Sequence, residues 1–123
     1  MPRQFPLLAG RVSLYKGLNM SNIVRGTTPT ITFTITRVAI SDITAAYLTI
    51  KQDTSVVVIE KDLSDATTGE NSMSWDLTQN DTLAIDAKKN VSIQIRYKTS
   101  AGKAYASKIY QVEGYKILKD GVI

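Results

Sequence analysis

The sequence predicts an all-β fold, an immunoglobulin-like antiparallel β-sandwich of six or seven strands with one short helical turn. Hydroxyl and large apolar residues alternate without error from Thr30 to Thr36, and such alternation places the two residue types on opposite faces of a strand. Several later segments repeat this two-residue period, and none of helical length shows a period of 3.6 residues. A small barrel is the alternative, but the chain lacks a glycine pattern for barrel corners.

The predicted elements follow one another along the chain. Turn residues 25–29 lead into a first strand at 30–37. Alternating segments then predict strands at 46–51, 56–63, 72–77, 91–98 and 104–112, with a last short extended piece at 115–118. Thr78 and Asp81 have the spacing of a capping box, which predicts a single helical turn near Gln79–Ile85. The residues predicted to be buried together are Phe33, Leu48, Trp75, Ile93 and Ile95.

Composition limits the chemistry that the chain can perform. Its 123 residues are enough for one domain but too few for two. There is no cysteine or histidine, which removes the thiol nucleophile, the commonest general base and the commonest zinc ligand. No apolar run approaches the roughly 20 residues that a membrane-spanning helix needs. We therefore expect no enzyme activity, no cofactor and no membrane partner.

Carboxylates remain as candidates for catalysis or metal binding, but their spacing supports neither role. Catalytic pairs need one carboxyl desolvated beside another, whereas these lie at predicted turns or alternate with apolar residues. Asp76, Asn80, Asp81 and Asp86 cluster in the sequence, yet they do not fit a calcium loop with its terminal Glu. The sequence therefore predicts neither a catalytic nor a metal site.

The formal charge of +4 is concentrated near the N-terminus. Arg3, Arg11 and Lys16 precede Met20, and without these three the count is 12 basic against 11 acidic residues. Both signs are interspersed in this nearly neutral body, so it lacks the concentrated positive field that phosphate binding requires. We expect no nucleic-acid partner.

Residues 1–22 are interpreted as an N-terminal arm or an upstream-translated leader, and residues 23–123 as the β-sandwich domain. Lys16-Gly17 can be encoded by a purine-rich stretch shortly before the codon of Met20, as in a bacterial ribosome-binding site. This spacing favours Met20 as the native start. The alternative is a genuine arm that docks on a neighbouring subunit.

Aromatic residues raise the question of a sugar-stacking platform. Trp75 and Tyr97 fall on the apolar phase of their strands, which favours the core. Tyr105 and Tyr110 are predicted on opposite faces of one strand, so they cannot form one platform. The residue alternation leaves the phase of Tyr47, Tyr105 and Tyr110 open.

Two groups of residues are candidates for contact with a partner. The threonine face of the first strand would be open to another chain if that strand lay at a sheet edge, although a solvated outer face is the favoured interpretation. The apolar residues near the C-terminus need cover on a small domain. The possible interface therefore consists of Thr30, Thr32, Thr34, Thr36, Ile117, Leu118, Val122 and Ile123.

Short motifs along the chain add a family resemblance. They are Ile23–Thr28 with the following Thr-Ile-Thr-Phe strand, Ser41–Thr44, Trp75–Gln79, and Val91–Tyr97 before Ala101-Gly102. Together they resemble the small β-sandwich structural proteins of tailed phages and prophages of Gram-positive bacteria, and in particular the N-terminal domain of phage baseplate upper proteins. The resemblance runs from about Ile23 to Val112. It departs at Lys88–Asn90, where the family usually places a glycine.

The resemblance implies a structural, non-catalytic role. The chain would be a component of a phage or prophage virion, in the tail, the baseplate or another virion-associated assembly, produced in the bacterial host cytoplasm. Its partners would be other virion proteins or copies of itself, as a homo-oligomer or part of a larger assembly. The alternative function is a carbohydrate-binding or host-surface adhesion module.

Overall fold

The computed structural model describes residues 22–52 and 56–123, so the predicted arm or leader lies outside the described residues except for Asn22. Single 3₁₀ turns lie at Ile40–Asp42 and Leu63–Asp65. The strands are β1 (Asn22–Val24), β2 (Thr30–Thr34), β3 (Ile43–Gln52), β4 (Val56–Asp62), β5 (Thr67–Thr68), β6 (Ser72–Asp76), β7 (Asn90–Thr99), β8 (Ala104–Ala106) and β9 (Tyr110–Tyr115), and the one short α-helix in these ranges is α1 (Gln79–Leu83).

The strands form two sheets that pack face to face. The larger sheet has the order β1-β9-β7-β3-β4, with β8 also pairing with β7, and the smaller sheet has the order β2-β6-β5. All pairs are antiparallel except β1 with β9, which run parallel. The chain leaves the larger sheet twice, after β1 to form β2 and after β4 to form β5 and β6, and returns to it each time, as in an immunoglobulin-like β-sandwich. The predicted fold class is therefore confirmed, although residues 22–52 and 56–123 form nine strands where six or seven were predicted.

Several predicted boundaries differ from the structure. The predicted strand 104–112 is divided into β8 and β9, and the extended piece predicted at 115–118 is not a strand because β9 ends at Tyr115. Between β8 and β9, Ser107 maintains contact with β7: its backbone N–H donates to Ile95 O at 2.9 Å, and its Oγ accepts from Ile95 N at 3.1 Å. A serine hydroxyl thus replaces a backbone carbonyl at the break, which residue alternation does not encode.

The core lies between the two sheets. Phe33, Leu48, Trp75, Ile93 and Ile95 are each at most 1% exposed, so the predicted buried group is confirmed. The indole Nε1 of Trp75 donates to the Asp62 carbonyl at 2.9 Å, which satisfies the polar atom of the largest core side chain.

The helix α1 begins at the predicted capping box. Thr78 Oγ1 accepts from Asp81 N at 3.0 Å, and Asp81 Oδ2 accepts from Thr78 N at 2.8 Å. Lys61 Nζ lies 3.0 Å from Asp81 Oδ2. Partial burial alone would raise the pKa of Asp81, but the hydrogen bonds from Thr78 and the contact with Lys61 outweigh it and lower this pKa below its ordinary value. In the described ranges, no helix is both long and apolar enough to span a membrane.

The loop that follows α1 is held by a buried amide. Gln52, at the end of β3, is 4% exposed. Its Nε2 donates to Asp86 O at 2.7 Å and to Lys89 O at 3.2 Å, and its Oε1 accepts from Asp86 N at 2.8 Å. One side chain thereby satisfies three backbone groups of a loop that packs beside the end of the larger sheet.

Candidate interaction surfaces

The C-terminal segment, residues 116–123, is tied to the rest of the domain by polar contacts. Arg25 Nη1 lies 3.2 Å from Asp120 Oδ1. Gln79, the first residue of α1, accepts from Ile123 N at 2.8 Å through its Oε1 and donates to Ile123 O at 3.2 Å through its Nε2. Both polar atoms of the Gln79 side-chain amide therefore bind the backbone of Ile123.

Arg25 links three parts of the fold. Its Nε donates to Ile85 O at 2.8 Å and its Nη2 to Leu83 O at 2.9 Å, which satisfies carbonyls at the C-terminal end of α1. Its backbone N–H donates to Tyr115 O at 2.9 Å. The same residue therefore joins the end of β1, the end of α1 and, through Asp120, the C-terminal segment.

The four predicted apolar residues of this segment have different surroundings. Ile117 is half-buried: its Cδ1 lies 2.9 Å from the position that a Cβ would occupy at Gly26, whose φ is +75°, and the same position is 3.5 Å from Leu83 Cδ2. Ile117 is thus packed within its own domain. Leu118, Val122 and Ile123 are 107%, 58% and 88% exposed. These three exposed residues share one segment of eight residues, and we call them the apolar patch.

The predicted threonine face lies on the outside of the smaller sheet. Thr30, Thr32 and Thr34 pair with Asp76, Ser74 and Ser72 of β6, and Thr36 lies exposed beyond the end of β2. Thr30 Oγ1 donates to Asp76 Oδ1 at 2.5 Å, and the hydroxyls of Thr32 and Ser74 are 3.0 Å apart. Two of the predicted threonines therefore bind hydroxyl and carboxylate groups of the neighbouring strand, and β2 stands at one end of the sheet order.

The carboxylates singled out in the sequence have separate local contacts. Asp76 binds Thr30, Asp81 caps α1, and Asp86 Oδ1 accepts from Lys88 N at 2.9 Å. Among residues 22–52 and 56–123, no group of three or more acidic residues is placed to hold a metal ion. Asp62 accepts from Ser64 Oγ at 2.6 Å and from Ser64 N at 3.0 Å, and these bonds lower the pKa of its carboxyl.

The tyrosines are distributed over several surroundings. Tyr97 is half-buried and stacks on Tyr105 of β8, with ring centroids 5.4 Å apart and planes inclined by 22°. Tyr110 lies on β9 and contacts Phe33 edge to face at 5.9 Å. The prediction that Tyr105 and Tyr110 share one strand is wrong, because the break at Ser107 separates β8 from β9. Burial raises the pKa of both Tyr97 and Tyr110.

Tyr47 differs from these residues because it is 50% exposed on the outer face of the larger sheet. The sequence left its orientation open, although Tyr47 shares its phase in the predicted strand with the polar residues Thr49 and Lys51. Arg25 and Gln79 were not predicted as functional residues. Their partners lie up to 95 and 44 residues away in the chain, and no local pattern signals such contacts.

Solved structures similar to this chain include one of an immunoglobulin-like domain. No protein-family model matches the chain, and no curated protein matches it. A solved structure of murine CRIg is similar with a TM-score of 0.42 and 8% sequence identity, over 82% of this chain and 95% of that chain. The class of the protein, an immunoglobulin-like β-sandwich, follows from the order and pairing of its strands.

Proposed function

We propose that this protein is a non-catalytic structural component of a phage or prophage virion, located in the tail, the baseplate or another virion-associated assembly. It works by docking to other virion proteins or to copies of itself. The observation that carries the docking role is the apolar patch: three exposed apolar side chains on a segment that the domain holds in place with Arg25 and Gln79.

The energetics of the segment support docking. Fixing a backbone costs roughly 1–2 kcal/mol per residue in conformational entropy. The ion pair of Arg25 with Asp120 offsets little of this cost, since the Asp120 side chain is 74% exposed. Leu118 and Ile123 gain no burial within the domain. A partner that covers the patch would supply that burial, and exposed apolar patches on small domains mark such surfaces.

The virion assignment depends on the sequence resemblance to the β-sandwich proteins of tailed phages. The proposed partners are therefore proteins, with no role for nucleic acid or membrane.

Sedimentation velocity from micromolar to millimolar concentration, together with pull-down from purified virions, tests the docking role. We expect the parent protein to self-associate or to retain a virion protein. The double variant Leu118→Ser/Ile123→Ser should weaken this association by about tenfold or more, because each substitution removes the burial of one large apolar side chain.

The matched control is the double variant Val57→Ser/Ile109→Ser, which removes two exposed apolar side chains elsewhere on the surface (50% and 58% exposed). It should associate like the parent protein. A parent protein that stays monomeric at every concentration and retains no virion protein would contradict the proposal. Equal loss in both double variants would show that the patch is not the docking surface.

The alternative, a carbohydrate-binding or host-surface adhesion module, is favoured by a different observation. The exposed ring of Tyr47 lines a concavity on the outer face of the larger sheet. This surface is separate from the apolar patch, so the two functions are compatible and can be tested independently.

A further inference from the structure

A shallow cavity of about 260 Å³ lies on the outer face of the larger sheet. This volume is just below the roughly 300–1,000 Å³ of pockets for drug-sized ligands, so it suits a unit as small as one sugar ring. Its lining residues are Ala45, Tyr47, Arg96, Tyr97, Lys98 and Ala104.

The strand register places the polar lining residues side by side. Tyr47 of β3 is directly opposite Arg96 of β7, and Ala45 is opposite Lys98. On the other side of β7, Ala106 and Ala104 of β8 are opposite the same two cations. Directly opposite residues have Cβ atoms about 4.5–5.5 Å apart. The result is one aromatic ring and two long cations with small alanine side chains beside them on the neighbouring strands.

Both cations are available for a ligand. Arg96 and Lys98 are exposed, and within residues 22–52 and 56–123 neither has an ion-pair partner. The nearest carboxylate by register is Asp62, opposite Tyr47 on β4, and it is bound to Ser64. An arginine guanidinium and a lysine ammonium two residues apart on one strand face can both reach one carboxylate or phosphate group.

The position of the cavity restricts what can bind. β3 and β7 are inner strands of their sheet, so their backbone groups are used by neighbouring strands and cannot pair with an added peptide strand. Recognition must therefore depend on side chains. The exposed Tyr47 ring offers a flat apolar surface, and the cations offer hydrogen-bond donors to oxygen.

We propose that this cavity binds an anionic saccharide. The apolar face of one sugar ring packs on Tyr47, and the carboxylate or phosphate that the sugar carries binds Arg96 and Lys98. The site rests on the alternative carbohydrate-binding function named above and specifies its ligand, and it shares no residue with the apolar patch.

Charge on the same sheet face favours a short anionic saccharide over a nucleic acid. Two cations line the cavity, while Glu60 and Asp62 follow along β4, and Glu60 is opposite Thr49 on the same face as Tyr47. A polynucleotide needs a track of cations for successive phosphates, and the carboxylates of β4 interrupt such a track. A short saccharide can instead place its one anionic group over β7, which β3 separates from β4.

Titration of the intact ¹⁵N-labelled protein, followed by amide chemical shifts, tests the site. The probes are a hyaluronan octasaccharide for a carboxylate, a phosphorylated oligomannose for a phosphate, neutral chitohexaose, and single-stranded DNA. We expect at least one of the two anionic saccharides to shift the amides of residues 45–47, 96–98 and 104–106, and the anion that binds more tightly identifies the charged group. Chitohexaose and DNA should bind more weakly.

Variants distinguish a local binding site from nonspecific electrostatic attraction between the saccharide and the protein. Arg96→Gln should weaken binding of the anionic saccharide by about tenfold, the usual effect of losing a hydrogen bond to a charged group. Tyr47→Ser should weaken it similarly, whereas Tyr47→Phe keeps the ring and should bind nearly as well as the parent protein. Lys51→Gln removes a charge on β3, four residues from Tyr47 and so about 13 Å from it at roughly 3.3 Å per residue. This variant should change binding by less than about twofold.

The proposal would be overturned by any of four results: no binding of either anionic saccharide, equal binding of chitohexaose, tighter binding of DNA, or equal loss in Lys51→Gln and Arg96→Gln. All variants change exposed side chains, and unchanged thermal melting would confirm that they are folded. The apolar-patch variant Leu118→Ser/Ile123→Ser should bind the saccharide like the parent protein, so failure of the docking proposal leaves this test intact.

Discussion

The centre of the sandwich and its α1 end are stabilised in different ways. The centre is one cluster of buried apolar side chains between the sheets. The α1 end, formed by α1, the loop 84–89 and the C-terminal segment, depends on a few polar side chains that bind backbone groups. Those side chains are Arg25, Gln52, Gln79 and Thr82.

This difference determines which property of a substitution governs its effect on stability in each region. In the centre, the loss of one side chain leaves a cavity that its neighbours can partly fill. At the α1 end, the loss of one side chain leaves several backbone groups without partners at once, because a single amide or guanidinium serves two or three of them. The effect of a substitution should therefore depend on volume in the centre and on hydrogen-bond count at the α1 end.

Trp75→Ala is the strongest test of the centre. We expect it to lower the free energy of unfolding by about 3–5 kcal/mol, since it removes a large buried aromatic side chain and the bond of its indole to Asp62 O. Thermal or urea unfolding measures the loss. Trp75→Phe should lose clearly less because it retains most of the volume. A Trp75→Ala variant that melts within a degree or two of the parent would contradict the burial of this residue.

Gln52→Leu tests the α1 end. Leucine is similar in size to glutamine but is apolar, so it leaves Asp86 N and the carbonyls of Asp86 and Lys89 without their hydrogen bonds. We expect the free energy of unfolding to fall by about 2–3 kcal/mol. The matched control is Gln111→Leu, whose amide makes one exposed bond to Ser92 Oγ and whose loss should be below about 0.5 kcal/mol. Equal losses in the two variants would mean that hydrogen-bond count does not govern this end.

The smallest expected effect is a pH dependence at the helix cap. The pKa of Asp81 is lowered in the folded protein, so its contribution to stability is present above the ordinary value of 3.8 and is lost as the pH falls through the lower folded-state pKa. Asp81→Asn should therefore reduce stability at neutral pH and flatten its decline in acid. Asp42→Asn, at an exposed 3₁₀ turn, is the comparison, and urea unfolding between pH 2 and 7 is the measurement. An unchanged acid decline in Asp81→Asn would contradict this assignment.

The sequence predicts the centre much better than the α1 end. Alternation along a strand is local, and it identified Phe33, Trp75 and Ile93 as core residues without knowledge of their partners. The capping box of α1 was equally local, since Thr78 and Asp81 are three residues apart. Elements of two or three residues, such as β1 and β5, are too short to show any period.

The polar contacts of the α1 end could not be predicted because their partners are distant in the chain. Gln52 and Asp86 are 34 residues apart, and Arg25 and Asp120 are 95 apart. The same reason applies to the cavity on the larger sheet. Tyr47 and Arg96 become neighbours only through the register of β3 with β7, which neither strand specifies alone.

The parallel pairing of β1 with β9 also determines how the domain bears tension. Asn22, Ile23 and Val24 lie beside Glu113, Gly114 and Tyr115, and Arg25 N adds a further bond to Tyr115 O. A pull on the chain before Asn22 and after Tyr115 acts along the two strands in opposite directions. The bonds between them then bear the load together, in shear. The antiparallel pair of β3 and β4, pulled from its open ends, would instead lose its bonds one after another. A three-residue strand is thus placed where its few bonds bear a load jointly and not singly.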